Sequence, residues 1–211
     1  MRRGRLGWLA FVAAVYLLLR VFLTTGHGED TTGPYALLDP GVAYPCAPIH
    51  YVVSEAEAPP DFVQVVHGAV GKISAASGYR FFFDGMTPDR DFEAHVTTGR
   101  AGPVLIGFAT ASEVPQFAGD VIGLGRSVPG GGARYTTGAI MLDATKYADQ
   151  HDMAERQAIV MHELGHVLGL DHVEDDGELM NRRNIGRTTL GPGDLAGLRH
   201  QLALSCPGGA S

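Results

Sequence analysis

The sequence predicts an α+β fold, and three observations carry that reading. Short runs of β-branched and aromatic residues, bounded by Gly and Pro, fill the first half of the chain. Two longer segments in the second half repeat apolar residues at helical spacing. No internal repeat is visible, so a single layered domain is expected rather than a solenoid.

The elements follow in order. Residues 49–53 alternate with polar neighbours and suggest a first strand. Pro59-Pro60-Asp61 opens a helix that places Phe62, Val65, Val66, Ala69, Val70 and Ile73 on one face, and Gly78 closes it. Residues 79–83 form an aromatic-rich strand, and 104–108 and 121–124 are further short strands. Pro129-Gly130-Gly131-Gly132 breaks the chain before a last strand at 138–142. A long helix is expected over 153–168. The final helix starts at Gly191-Pro192-Gly193-Asp194, with Pro at the first helical position and Leu195, Leu198 and Leu202 on one face.

The chemistry concentrates in His162-Glu163-Leu164-Gly165-His166-Val167-Leu168-Gly169-Leu170-Asp171-His172. Residues four apart share a helix face, so His162 and His166 can present two imidazoles to one point. A catalytic zinc takes three protein ligands and keeps a fourth position for water. Gly169 suits a left-handed helix end, which would turn the chain back and bring His172 in as third ligand. Glu163, beside the first ligand, is placed to act as general base on the zinc-bound water.

The N-terminal leader is expected to place this chemistry outside the cytoplasm. Net charge is −7, and four of the 16 basic residues (Arg2, Arg3, Arg5 and Arg20) lie at the N-terminus. The remainder is therefore strongly acidic, which argues against nucleic-acid binding. A basic start followed by the unbroken apolar run 6–19 predicts an N-terminal membrane anchor or signal peptide over 1–23. Thr24-Thr25-Gly26 is a weak cleavage site, which favours an uncleaved single-pass anchor with its N-terminus inside; cleavage would give a secreted protein. Residues 24–45 read as a linker, and 46–211 as the catalytic domain. Cys46 and Cys206 mark the two ends of that domain. In an exported chain an even cysteine count favours a disulfide between them, with a zinc-capping Cys46 thiolate as the rival.

The motif resembles the extended zinc signature of the metzincins. Eight residues past His172, Glu178-Leu179-Met180-Asn181 is similar to their Met-turn, in which Met180 would form an apolar base under the histidines. Spacing and the Leu-Met pair look most like matrixins, the matrix-metalloprotease group, in a minimal bacterial-type form. Residues 190–198 are similar to the final matrixin helix. The resemblance covers 162–198. It implies a twisted mixed sheet of about five strands with an active-site helix, a backing helix and a C-terminal helix. It also implies a cleft whose upper edge lies around 122–127 and whose S1′ wall lies around 181–189.

Departures narrow the match. Val173 stands where astacins and serralysins have Glu, and Asn181-Arg182 replaces their Met-turn tyrosine. Asp171 resembles the third ligand of other zinc enzymes, but counting from His162 puts His172 at that position. No cysteine-switch propeptide and no histidine–aspartate cluster for a structural zinc is recognisable. His95 and His151 read as surface or packing residues. Asp84, Asp89, Asp91, Asp175 and Asp176 could bind calcium (Ca2+), though solvated acidic loops explain them better.

The expected function is an extracytoplasmic zinc endopeptidase with one catalytic Zn2+ ion, acting on protein or peptide substrates. A zinc amidase for cell-wall peptides and a non-catalytic zinc-stabilised binding module are the rival readings. Glu163 argues against the latter, since a purely structural site gains nothing from a general base. Oligomeric state leaves no signature in the sequence.

Overall fold

The computed structural model describes residues 33–98 and 101–208. Its main sheet has five strands in the order β3-β2-β4-β6-β5. These are β2 (Ile49–Ser54), β3 (Phe81–Thr87), β4 (Val104–Ala109), β5 (Gly123–Pro129) and β6 (Tyr135–Asp143). β2 pairs parallel with β3 and β4, and β4 parallel with β6; only β5 runs antiparallel, against β6. A two-residue β1 (Ala36–Leu37) pairs with an equally short β7 (Leu170–Asp171).

Parallel neighbours need crossovers, and helices supply them. α1 (Phe62–Ser77) connects β2 to β3 and buries the six apolar residues that its periodicity picks out. Gly78 ends it at φ +87°, a left-handed cap that glycine adopts without steric cost. α2 (Phe92–Thr97) and α3 (Ala144–Ala148) are short, and each is capped by the carboxylate before it, Asp91 and Asp143. α4 (Met153–Val167) packs between α1 and the β5–β6 hairpin, and α5 (Pro192–Ser205) closes the chain against α1. The larger core cluster unites α1, α4 and one sheet face, around Phe62, Val66, Ile106, Ile140 and Leu164.

Several expected boundaries move for identifiable reasons. The strand expected at 79–83 begins at Phe81 and continues to Thr87, where Gly85, at φ +112°, lets the edge strand bulge past Asp84. The strand expected at 121–124 begins at Gly123 and runs to Pro129, its polar Arg126-Ser127 having masked the second half. α5 starts with Pro192 at its first position, but the residues it buries are Gly193, Asp194, Gly197, Leu198, Gln201 and Ser205. Leu195 and Leu202 are only half-buried. The Gln201 amide decides the orientation, because it reaches the Val42 and Leu168 carbonyls at 3.2 and 3.1 Å.

The linker expected over 24–45 is corrected where it is described: residues 33–45 belong to the domain. β1 pairs with the short strand inside the zinc motif, and Ala43 and Tyr44 are buried. Gly33 and Gly193 have no room for a Cβ, so the chain lies flush on the start of α5. The expected leader over 1–23 falls outside the described residues. Among those described, no helix is long and apolar enough to cross a membrane. Cys46 and Cys206 form the expected disulfide, 160 residues apart in sequence. Closing a loop of that length stabilises by roughly 2–4 kcal/mol.

Candidate metal centre and cleft

α4 carries the first two histidines. Asp152 caps its start by accepting the Ala154 and Glu155 N–H groups, and its last turns bury Glu163 through Val167. Gly169 then takes φ +97°, and a Cβ there would meet Gln201 and Tyr135, so only glycine allows the reversal. The chain returns through β7, and His172 arrives beside His162 and His166.

The three rings converge on one point. His172 Nε2 lies 3.2 Å from His162 Nε2 and 3.1 Å from His166 Nε2. The other nitrogens are committed: His162 Nδ1 donates to the Leu179 carbonyl and His166 Nδ1 to the Leu170 carbonyl, both at 2.8 Å. A carbonyl only accepts, so each Nδ1 carries the proton and each Nε2 points a lone pair inward. Two such lone pairs face the His172 Nε2 at hydrogen-bond distance, and all three nitrogens can serve one cation lying among them. The set therefore fits a metal ion, and among the described residues it is the one group of three such side chains. Burial, then the neighbouring imidazoles, lowers His166 to about 3. Burial and the Arg182 charge lower His172. Both stay neutral, as metal ligation requires.

Glu163 is 6% exposed. Burial raises its pKa, while the neighbouring His162 and a hydrogen bond from the Gly125 N–H act in the opposite sense. β5 lies directly on α4 at this point. A Cβ on Gly123 would fall 2.7 Å from Glu163 Oε1, and one on Gly125 about 2.0 Å from the Glu163 carbonyl oxygen. Ser127 completes the seam by donating to the Val167 carbonyl at 2.7 Å and accepting from the Tyr44 hydroxyl at 2.8 Å. The sequence reading passed over these two glycines, although glycine inside a strand is a known sign of close backbone approach.

Below the histidines, Met180 is buried with its sulfur against Gly165, where a Cβ would stand 2.5 Å from Sδ. The turn carrying it hangs from buried carboxylates. Asp194 accepts N–H groups from Leu179 (2.6 Å), Met180 (3.1 Å) and Gly191 (2.7 Å). Glu178 accepts those of Gly193 and Asp194 at 2.9 and 2.8 Å. Glu178 and Asp194 are 2% and 1% exposed, and neither role was visible in the sequence.

The remaining acidic residues stay apart from this centre. Asp171 accepts the His172 N–H rather than joining the imidazoles. Asp84 pairs with His50, and Asp89 with His95, whose other nitrogen faces Thr137. Asp175 caps the Gly177 N–H, Asp176 accepts from Asn181, and His151 is exposed. A cleft of about 590 Å³ opens over the histidines. Residues 120–124 bound it on one side and 181–188 on the other, with Ala158, Ile159 and Leu179 at its floor.

A sequence model of the matrixin peptidase family matches residues 89–200, just over half of the chain. The chain belongs to the matrixin family. It is thus a zinc metallopeptidase, acting in general on proteins or peptides. Among solved structures it is similar to archaemetzincin from Methanopyrus kandleri. That likeness has a TM-score of 0.50 at 15% identity and covers 74% of this chain and 96% of that one. It supports the metzincin fold. No curated protein matches the sequence. The zinc that the family implies fits this matrixin at the three convergent imidazoles.

Proposed function

We propose that this matrixin is an extracytoplasmic endopeptidase with one catalytic zinc held by His162, His166 and His172, and with Glu163 as its general base. The observation that carries the reading is the convergence of three imidazole Nε2 atoms beside a buried carboxylate in an open cleft. When bound, zinc supplies Lewis acidity, polarising a carbonyl and acidifying water.

The chain's own groups do the rest. Glu163 takes the proton of the attacking water and delivers it to the leaving amine, so one carboxylate serves both halves of the reaction. The Gly125 N–H holds that carboxylate toward the cleft. β5 is an edge strand, paired on one side only, and an extended substrate adds to its free side by main-chain hydrogen bonds. Met180 serves as the apolar base that keeps the imidazoles in place. The opposite wall carries Arg182, Arg183 and Arg187. Arg182 pairs with Glu174, while Arg183 and Arg187 favour substrates with acidic side chains on that side of the scissile bond.

The apolar run with its basic start supports delivery across a membrane, and the disulfide supports an oxidising compartment. The test compares wild type with Glu163→Ala on casein or a peptide library, with zinc quantified in both. Loss of a general base is expected to cost about 10²–10⁴-fold in rate at equal zinc content. Equal cleavage by both proteins would sink the mechanism, and a zinc-free wild type would sink the site.

A further inference from the structure

The segment between β4 and β5 ends in Asp120, Val121 and Ile122, which form part of the cleft's rim. It contains a single 3-10 turn, Pro115–Ala118, and then reaches β5 through the exposed residues Gly119, Asp120 and Val121. Apolar packing anchors it on both sides of residues 118–121, through Val114 and the buried Phe117 ring before them and the partly buried Ile122 after them. Nothing comparable holds residues 119–121.

Lys146, on α3, reaches across to this segment. Its Nζ donates to the Phe117 carbonyl, to the Val121 carbonyl at 3.1 Å and to Asp143 Oδ2 at 2.9 Å. An ammonium has three donors, and all three are used. Two of the acceptors bracket residues 118–120 from either side. The third sits at the end of β6, where Asp143 is buried and its other oxygen caps α3 through the Thr145 and Lys146 N–H groups. The Asp143 N–H also donates to the Ile122 carbonyl at 2.8 Å. The ammonium therefore ties an exposed rim to a fixed post. Two residues beyond Val121, Gly123 already touches Glu163.

We propose that Lys146 is a positioning residue for substrate: its ammonium holds residues 117–122 so that an extended peptide meets the start of β5 in register. The inference rests on reading β5 as the substrate-binding edge. β5 itself is secured by its pairing with β6 and its seam on α4, so loss of the ammonium disturbs the rim and leaves the Glu163 contact intact. A plain stabilising brace would behave differently, lowering the folded fraction without changing how well the folded enzyme holds its substrate.

Lys146→Met keeps the stem without the charge, Lys146→Arg keeps a charged donor, and Lys146→Ala leaves space for an added amine. Steady-state kinetics on a peptide cleaved by wild type are read together with zinc content, thermal midpoint and amide hydrogen exchange at 118–122. For Lys146→Met, KM is expected to rise about tenfold, with kcat within about twofold, and exchange at 118–122 to quicken; a tenfold KM change corresponds to about 1.4 kcal/mol. Lys146→Arg is expected to stay within about threefold of the wild-type KM. Ethylammonium is expected to lower the KM of Lys146→Ala, and tetramethylammonium, which has no N–H, is not. An unchanged KM in the Met variant, a fall in kcat alone, unchanged exchange, or equal rescue by both ions overturns the proposal. Failure of the endopeptidase reading is separate, since it would show as a wild type no more active than Glu163→Ala.

Discussion

The two walls of the cleft are built by opposite means. The β5 wall is backbone laid on backbone: Gly123 and Gly125 have no side chain, and the strand presses onto α4 at Glu163 and is stitched there by Ser127. The opposite wall is a loop whose root hangs from Asp194 and Glu178 and whose outer part, 182–186, is exposed. Close backbone packing tolerates almost no change, because interiors are dense and a single methyl is felt. A loop held only at its root can vary its outer residues without disturbing the histidines. Under the proposed function, the tight wall would fix the chemistry and the loose one would be free to set selectivity.

Four substitutions would break or sharpen that contrast, taken from the largest expected effect. Asp194→Ala strips the partner from three buried N–H groups at 1–3 kcal/mol each, partly offset by entering water, for a loss of about 4 kcal/mol. Chemical denaturation is expected to show that loss together with weaker zinc retention, because the Met180 turn and the Leu179 carbonyl behind His162 depend on it. Stability lost without any change in zinc would mean that the turn is held some other way.

Cys206→Ser removes a brace outside both walls and is expected to cost roughly 3 kcal/mol of stability. Peptide selectivity of the folded variant should not change. A change in selectivity would show that the walls depend on the domain ends.

Gly125→Ala is next, and the contrast predicts that activity suffers far more than fold. Its methyl must push β5 off α4, and a displacement of about 1 Å near the reacting groups costs about 10²-fold, or about 2.7 kcal/mol. The measurement is kcat/KM alongside the thermal midpoint, and near-wild-type activity would refute the tight-wall account.

Smallest is Arg183→Glu on the loose wall. Discrimination between peptides with Glu and with Lys on that side of the scissile bond is expected to shift a few-fold, or about 1 kcal/mol for one exposed charge. A peptide neutral at that position should be cleaved as before.

How legible each wall was in the sequence follows from the same contrast. The Met180 turn and the Asn181–Thr189 wall could be named because they trail the zinc motif at a recognisable spacing. β5 was misplaced by two residues at its start and cut short, because its glycines and its Arg126-Ser127 pair read as turn and loop residues when no partner is in view. The linker reading failed for a similar reason. Residues 33–45 carry three prolines and two glycines, yet they belong to the domain by lying flush against α5 and β7, which local composition cannot signal.

The sequence by itself determined the candidate site: which imidazoles and which carboxylate lie together, the left-handed turn at Gly169, the strands' approximate positions and the α+β class. Those features are local, written in helical spacing, in glycine's conformational freedom and in ligand type. Only the tertiary structure decided that Glu163 is gripped by Gly125, that Asp194 and Glu178 suspend the Met180 turn, and that Lys146 holds the rim. Each of these joins groups far apart in the chain through a buried or shared hydrogen bond. Such a bond exists because folding removes water from polar atoms that must then find one another.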